Sequence, residues 1–283
     1  MYPTILKVIL ITFVLLCIQF AFGILIAIFK DTEYFNSFRD YIISGSNVIA
    51  IFAVSLYAFR KSKLNLMDMM SFRKDTTILI FPALAITYAL HIVGAFLSVM
   101  VFQNSTVSQG FVESSAEYLP INQIPLYFLL VVVAPITEEL YFRGFAFLGL
   151  MRNYSFFVSM LVSTLLFCVI HLNPSQMVGA ALIGVFSCYL LYLTKNIVFS
   201  ILIHAMYNGL FLVLPPLISK FNLHSEIWHY KTSIYTFDLI DFSGIILLLI
   251  GIPLFLFLKS KIRIEQNMDQ FIQPIENPDE LIA

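Results

Sequence analysis

The sequence predicts an all-α fold, a polytopic transmembrane helix bundle of about eight spans, on three observations. First, 60% of the 283 residues are hydrophobic and only 12% are charged, with a mean hydropathy of +0.90. A soluble domain runs about 45–50% apolar and about 25% charged, so both figures lie well outside that range. Second, the apolar residues are gathered into runs of spanning length, about 20 residues each. Third, most Lys and Arg fall in the gaps between runs and favour one side. These features exclude a secreted disulfide scaffold and a disordered regulator. The net charge of −1 removes any case for a polyanionic partner such as nucleic acid.

In chain order the runs are 5–29, 41–59, 77–102, 124–150, 155–172, 177–194, 197–214 and 239–258. The first is longer than the roughly 7–15 residues of a signal-peptide core, so it is expected to be a retained helix. Breaks are expected at Asn173-Pro174-Ser175, Thr194-Lys195-Asn196 and Pro215-Pro216, where turn residues cluster. Eight spans place both termini on one side. With that side cytoplasmic, it holds twelve of the 16 Lys and Arg, Arg143 among them, as the positive-inside rule requires. The 103–123 loop, with Glu113 and Glu117 but no Lys or Arg, is expected outside. Residues 1–264 read as one integral membrane domain and 265–283 as a short polar cytoplasmic tail. The richness in Ile, Phe and Asn fits an AT-rich genome, hence a bacterial cytoplasmic membrane. Cys17, Cys168 and Cys188 lie inside apolar runs without metal-ligand spacing and read as small buried hydrophobes.

In such a chain the informative residues are ionisable groups inside the spans, because each costs about 2.5–3.5 kcal/mol at a helix centre and faces the bundle interior. The fourth run contains Thr137-Glu138-Glu139-Leu140-Tyr141-Phe142-Arg143-Gly144. A solvated loop between two shorter helices is the competing reading. Residues 126–134 alone are too few to span, however, and no turn residue lies between Thr137 and Arg143. On a helix, Glu139 and Arg143 stand at i,i+4 with the acid first, the favourable order for a pair. Glu138 is rotated by about 100° and has no such partner. It is left to accept a proton or to meet a neighbouring helix. The fifth run ends in His171, and the seventh places His204 and Asn208 at i,i+4 on one face. His91 reads as an ordinary core histidine.

Glu138-Glu139-x-x-x-Arg143, Phe167-x-x-x-His171 and His204-x-x-x-Asn208, in this order, resemble the three motifs of the CPBP intramembrane proteases, which include the Rce1-type CAAX prenyl proteases and the bacterial Abi-like proteins. The resemblance covers 124–214. It implies an eight-helix membrane endopeptidase in which Glu138 is the general base, Glu139 and Arg143 support it, and His171, His204 and Asn208 complete the site. The implied partners are membrane lipid and a protein or peptide substrate, lipidated or not, with no nucleic acid. No cofactor is certain. A divalent metal such as zinc, held by Glu138, His171 and His204, is the open alternative to metal-free chemistry, although the chain has no H-E-x-x-H.

No Ser or Cys sits in a nucleophile-elbow motif, so an activated water is the expected nucleophile, with His204 and Asn208 facing the oxyanion. A secondary transporter with a buried proton relay would use the same glutamates, but inverted repeats are not evident. A non-catalytic immunity or binding protein on the same fold is the third reading. One geometric difficulty stands. At about 1.5 Å rise per residue, His171 falls near the outer end of its helix, His204 nearer the inner end and Glu138 between. Their meeting requires tilt, unequal helix ends or a kink at Pro135.

Overall fold

A computed structural model describes residues 3–29, 33–62, 64, 69–70, 75–102, 124–220 and 239–262. The expected outer loop 103–123 and the polar tail 265–283 lie outside these. Eight helices make up the described chain: α1 (Ile5–Phe29), α2 (Glu33–Lys61), α3 (Ile80–Phe102, after a 3₁₀ turn), α4 (Ile124–Leu150), α5 (Phe156–Val169), α6 (Pro174–Thr194), α7 (Ile197–Lys220) and α8 (Leu239–Lys261). No strand occurs among the described residues, and all but α5 are long and apolar enough to cross a membrane. The protein is an all-α polytopic helix bundle and an integral membrane protein.

The local sequence explains most helix ends. Asn173 caps α6 by accepting from Ser175 N at 3.0 Å, with Pro174 in the first turn, where its missing N–H is harmless. Ser155 caps α5 in the same manner through Val158 N, and Asn196 accepts from Val198 N at 2.9 Å to open α7. Lys195 ends α6 in the left-handed region at φ 54°. Two boundaries differ from the sequence expectation. Helix α2 starts at Glu33, because a polar helix end outside the apolar zone leaves no hydropathy signal. Helix α7 continues through Pro215-Pro216 to Lys220, and α8 likewise contains Pro253. Proline breaks soluble helices, but spanning helices tolerate it where neighbours satisfy the freed carbonyls.

Helix α4 lies inside, against α2, α5 and α7, while α3 packs on α6, α7 and α8. At the α3–α8 contact, Gly244 and Gly251 bring the helices close to Ile92 and Ile86, and Tyr88 shares a 2.8 Å hydrogen bond with Ser243. The surrounding helices turn Leu, Ile and Phe side chains outward, as with Leu10, Phe13, Phe20, Leu249 and Phe257. That pattern is a lipid-facing surface. Arg60, Lys61, Lys259 and Lys261 close α2 and α8 at one end of the bundle. Arg143, counted on that side from sequence, is instead wholly buried in the core.

Candidate active site

The site is built on an irregular α4. Over Leu129–Val133 and again over Leu140–Phe147 the helix widens to π-helical turns, flanking Ala134–Glu139. Such widenings inside helices are frequent at functional sites. The first has a covalent cause. Ala134 N donates to Leu129 O, and Pro135 has no N–H for the next carbonyl, that of Leu130. Asn208 of α7 fills the vacancy, its Nδ2 donating to Leu130 O at 3.0 Å. An amide nitrogen carries two donors, so one N–H of Asn208 remains. In the second widening, the Phe142 carbonyl accepts from Ser163 Oγ of α5 at 2.7 Å.

Between the two widenings the paired glutamates separate in role. Glu139 is wholly buried; its Oε1 lies 3.0 Å from Arg143 Nη1 and accepts from His204 Nδ1 at 2.8 Å. Arg143 is equally buried, and its contact with Glu139 is close but poorly aligned, leaving the guanidinium nitrogens without well-formed hydrogen bonds among the described residues. The pairing is therefore chiefly coulombic, with the Phe167 ring supplying a cation–π face 4.3 Å from Arg143 Cζ. Glu138 has no cation of its own. Its side chain keeps 15% of its surface, and His204 Nε2 lies 3.6 Å from Oε2.

Since a carboxylate only accepts, the short contact with Glu139 puts a proton on His204 Nδ1 and turns Nε2 toward Glu138. His171 is fixed in the same sense. Its Nδ1 donates to Phe167 O at 2.8 Å, so Nε2 is the atom left to act. The Phe167 ring meets His171 at 4.9 Å and His204 at 5.5 Å between centroids, both edge-on. One aromatic ring thus holds Arg143 and both histidines.

This arrangement answers the depth difficulty. Helix α5 has 14 residues, about 21 Å, short of the roughly 30 Å bilayer core. The chain turns at Ile170–Asn173, with Leu172 at φ 51°, and His171 sits in that turn. A branched side chain at positive φ is strained, typically by about 1–2 kcal/mol. His171 consequently packs on the same Phe167 ring as His204.

The structure brings together Glu139, Arg143 and His204 in direct contact, Glu138 against His204, and Asn208 and His171 on the flanks. Phe167 and Leu130 O are contributions that spacing alone does not announce. A third is Gly184 of α6, where a Cβ would stand 2.9 Å from Thr164 Cγ2 and 3.2 Å from Arg143 Nη2. No group of three or more His, Cys, Asp or Glu among the described residues is arranged to hold a metal ion, the trio Glu138, His171 and His204 included.

No curated protein and no solved structure matches the chain. Residues 120–210 do match the family model described as type II CAAX prenyl endopeptidase, Rce1-like, the family that the three motifs resemble, and all six candidate residues lie within that stretch.

Proposed function

We propose that this protein is an intramembrane endopeptidase that hydrolyses a peptide bond of a membrane-associated protein or peptide with a glutamate-activated water. The observation that carries the reading is the division between two adjacent carboxylates. Glu139 is committed to Arg143 and His204, while Glu138 is uncommitted, partly accessible and 3.6 Å from the free side of His204. A water can lie within hydrogen-bond reach of Glu138 Oε2 and His204 Nε2 at once.

The chemistry follows from the residues. Glu138 takes a proton from the water as its oxygen bonds to the scissile carbonyl carbon. The remaining N–H of Asn208 and a proton on His204 Nε2 face the oxyanion, where preorganised donors matter most. Glu139, itself held by Arg143, orients the imidazole and stabilises its cationic form, as a buried carboxylate does in other hydrolases. Glu138 then returns its proton to the departing amine as the C–N bond breaks. His171 Nε2 helps to orient the water. No step requires a metal, and the set Glu138, His171 and His204 does not meet in a metal-binding arrangement.

The family description directs the test toward prenylated substrates. Purified protein in lipid nanodiscs is given a quenched-fluorescence peptide with a farnesylated cysteine three residues from its C-terminus, alongside the unprenylated peptide. The expected result is cleavage by the native chain and loss of about 10²–10⁴-fold on Glu138→Gln, the usual worth of a general base. Unchanged turnover in that variant would refute the assignment.

A further inference from the structure

Among the unpartnered buried polar atoms of the described residues, which include Gln19 Oε1, Ser159 Oγ and Ser187 Oγ, one ring leaves both of its nitrogens unpaired. His91, on α3, is 3% exposed, and neither of its ring nitrogens has a hydrogen-bond partner among the described residues. An unpaired buried polar group is costly, and more so in a membrane, where no bulk water can compensate. The imidazole therefore marks a place where something polar binds. Its ring meets Tyr207 of α7 at 4.9 Å between centroids, edge-on.

Tyr207 is placed with unusual care. A Cβ at Gly94 of α3 would lie 2.7 Å from its hydroxyl oxygen, and a Cβ at Gly179 of α6 would also collide with it. Glycine at both positions opens a slot that the hydroxyl occupies. At 3.6 residues per turn, His204, Tyr207 and Asn208 share about a third of the α7 circumference. Asn208 turns to α4, His204 to the glutamates and Tyr207 to α3 and α6. Tyr207 lies less than one turn from His204, so His91 stands on the α3 side of the helix that carries His204.

We propose that His91 and Tyr207 form the polar wall of a hydrated chamber continuous with Glu138, and that they bind a backbone peptide group of the substrate. This rests on the endopeptidase reading and assigns its substrate contacts. Neutral imidazole offers one donor and one acceptor. An amide offers the reverse pair, and the Tyr207 hydroxyl adds a further donor. Neither residue touches the scissile bond in this assignment; they hold the chain that carries it.

Two measurements test it. In a Cys17→Ala, Cys168→Ala, Cys188→Ala background, His91→Cys and Ile92→Cys are exposed to a small water-borne methanethiosulfonate. Ile92 points instead into the α8 contact at Gly244. A thiol reacts as its thiolate, which needs water, so Cys at 91 should react about tenfold faster or more than Cys at 92. Equal rates, or an unreactive 91, overturn the chamber whether or not any peptide is cleaved. The second measurement uses the farnesylated peptide. Tyr207→Phe keeps the ring in its slot and removes only the hydroxyl, and His91→Leu removes both nitrogens. Each should raise KM about three- to tenfold, the worth of a neutral hydrogen bond, with kcat within about twofold. Unchanged KM in both variants, or a fall confined to kcat, refutes the substrate contact. Failure of the native protein to cleave counts against the proposed function instead, and the labelling rates then decide this one.

Discussion

Replacing Glu139 by Gln should cost this protein far more stability than replacing its neighbour. Both partners of the Glu139–Arg143 pair are wholly buried, 3.0 Å apart. The glutamine can still accept from His204 Nδ1, but it cannot neutralise the guanidinium. Breaking a buried pair from one side typically costs about 3–5 kcal/mol, because the surviving charge stays desolvated. The Phe167 face offsets only about 1–2 kcal/mol of such a charge, and it is present in both states. At about 2–4 °C per kcal/mol for a chain of this size, the melting temperature should fall by roughly 6–20 °C. Glu138→Gln removes no ion pair and lies on a partly open surface, so its shift should stay within about 2 °C. The assay is thermal denaturation of purified protein in detergent, followed by intrinsic fluorescence. The double variant Glu139→Gln, Arg143→Met supplies the internal control. Removing both charges together should restore a large part of the loss, since apolar replacements of buried pairs are often neutral. Equal melting temperatures for Glu138→Gln and Glu139→Gln would refute this division between a supporting and a reacting carboxylate.

Asn208→Ala should lower turnover by about 10²–10³, as loss of one oxyanion donor does, and should also destabilise by about 1–3 kcal/mol through the orphaned Leu130 carbonyl; turnover and melting temperature check the two effects separately. Gly184→Ala should destabilise by about 1–3 kcal/mol by overpacking against Thr164 and Arg143, a change that a melting curve resolves. Exhaustive chelation should leave peptide cleavage intact; loss of activity restored by zinc or cobalt would show that a metal is required. Reporter fusions at Ala283 and within 60–75 should read cytoplasmic and a fusion near Gly110 external, and a cytoplasmic signal at Gly110 would overturn the eight-span topology.

Much of this was legible in the chain because a membrane forbids most exceptions. A charge inside an apolar run has few physical excuses, so Glu138, Glu139 and Arg143 declared themselves by position alone. The i,i+4 spacing then separated the paired acid from the unpaired one before any contact was known. What stayed hidden has a common cause in backbone geometry that departs from a uniform helix. Counting a constant rise set His171 and His204 at different depths, whereas α5 stops after 14 residues and turns. Gly184 carries no local signal, since its meaning lies in Thr164 and Arg143 across an interface. The Asn208 contact had a partial signal in Pro135, whose missing N–H must leave a carbonyl of the preceding turn unpaired. His91 read as an ordinary core residue, and only its lack of a hydrogen-bond partner among the described residues separates it from one.

The irregularity of α4 and the chemistry of the site are one feature. In a uniform helix the Ala134 N–H would close on Leu130 O, and Asn208 would lose that carbonyl as its anchor on α4. Pro135 opens the first widening, and the opening is what ties α7 to α4 beside Glu138. On the other side of the glutamates, within the second widening, the Phe142 carbonyl accepts from Ser163 Oγ, which ties α5 to α4. Helix α5 then carries Phe167 against Arg143 and sets His171 at the turn. Each histidine-bearing segment is thus joined to α4 through a hydrogen bond to a carbonyl in one of its widened turns. Substituting Pro135 by Ala returns an N–H to that turn and permits the regular ladder to close. The expected consequence is a loss of turnover approaching that of Asn208→Ala, while the melting temperature holds or rises, because the helix gains a bond as the site loses its anchor. Falling stability with turnover preserved would show that the widening serves packing alone.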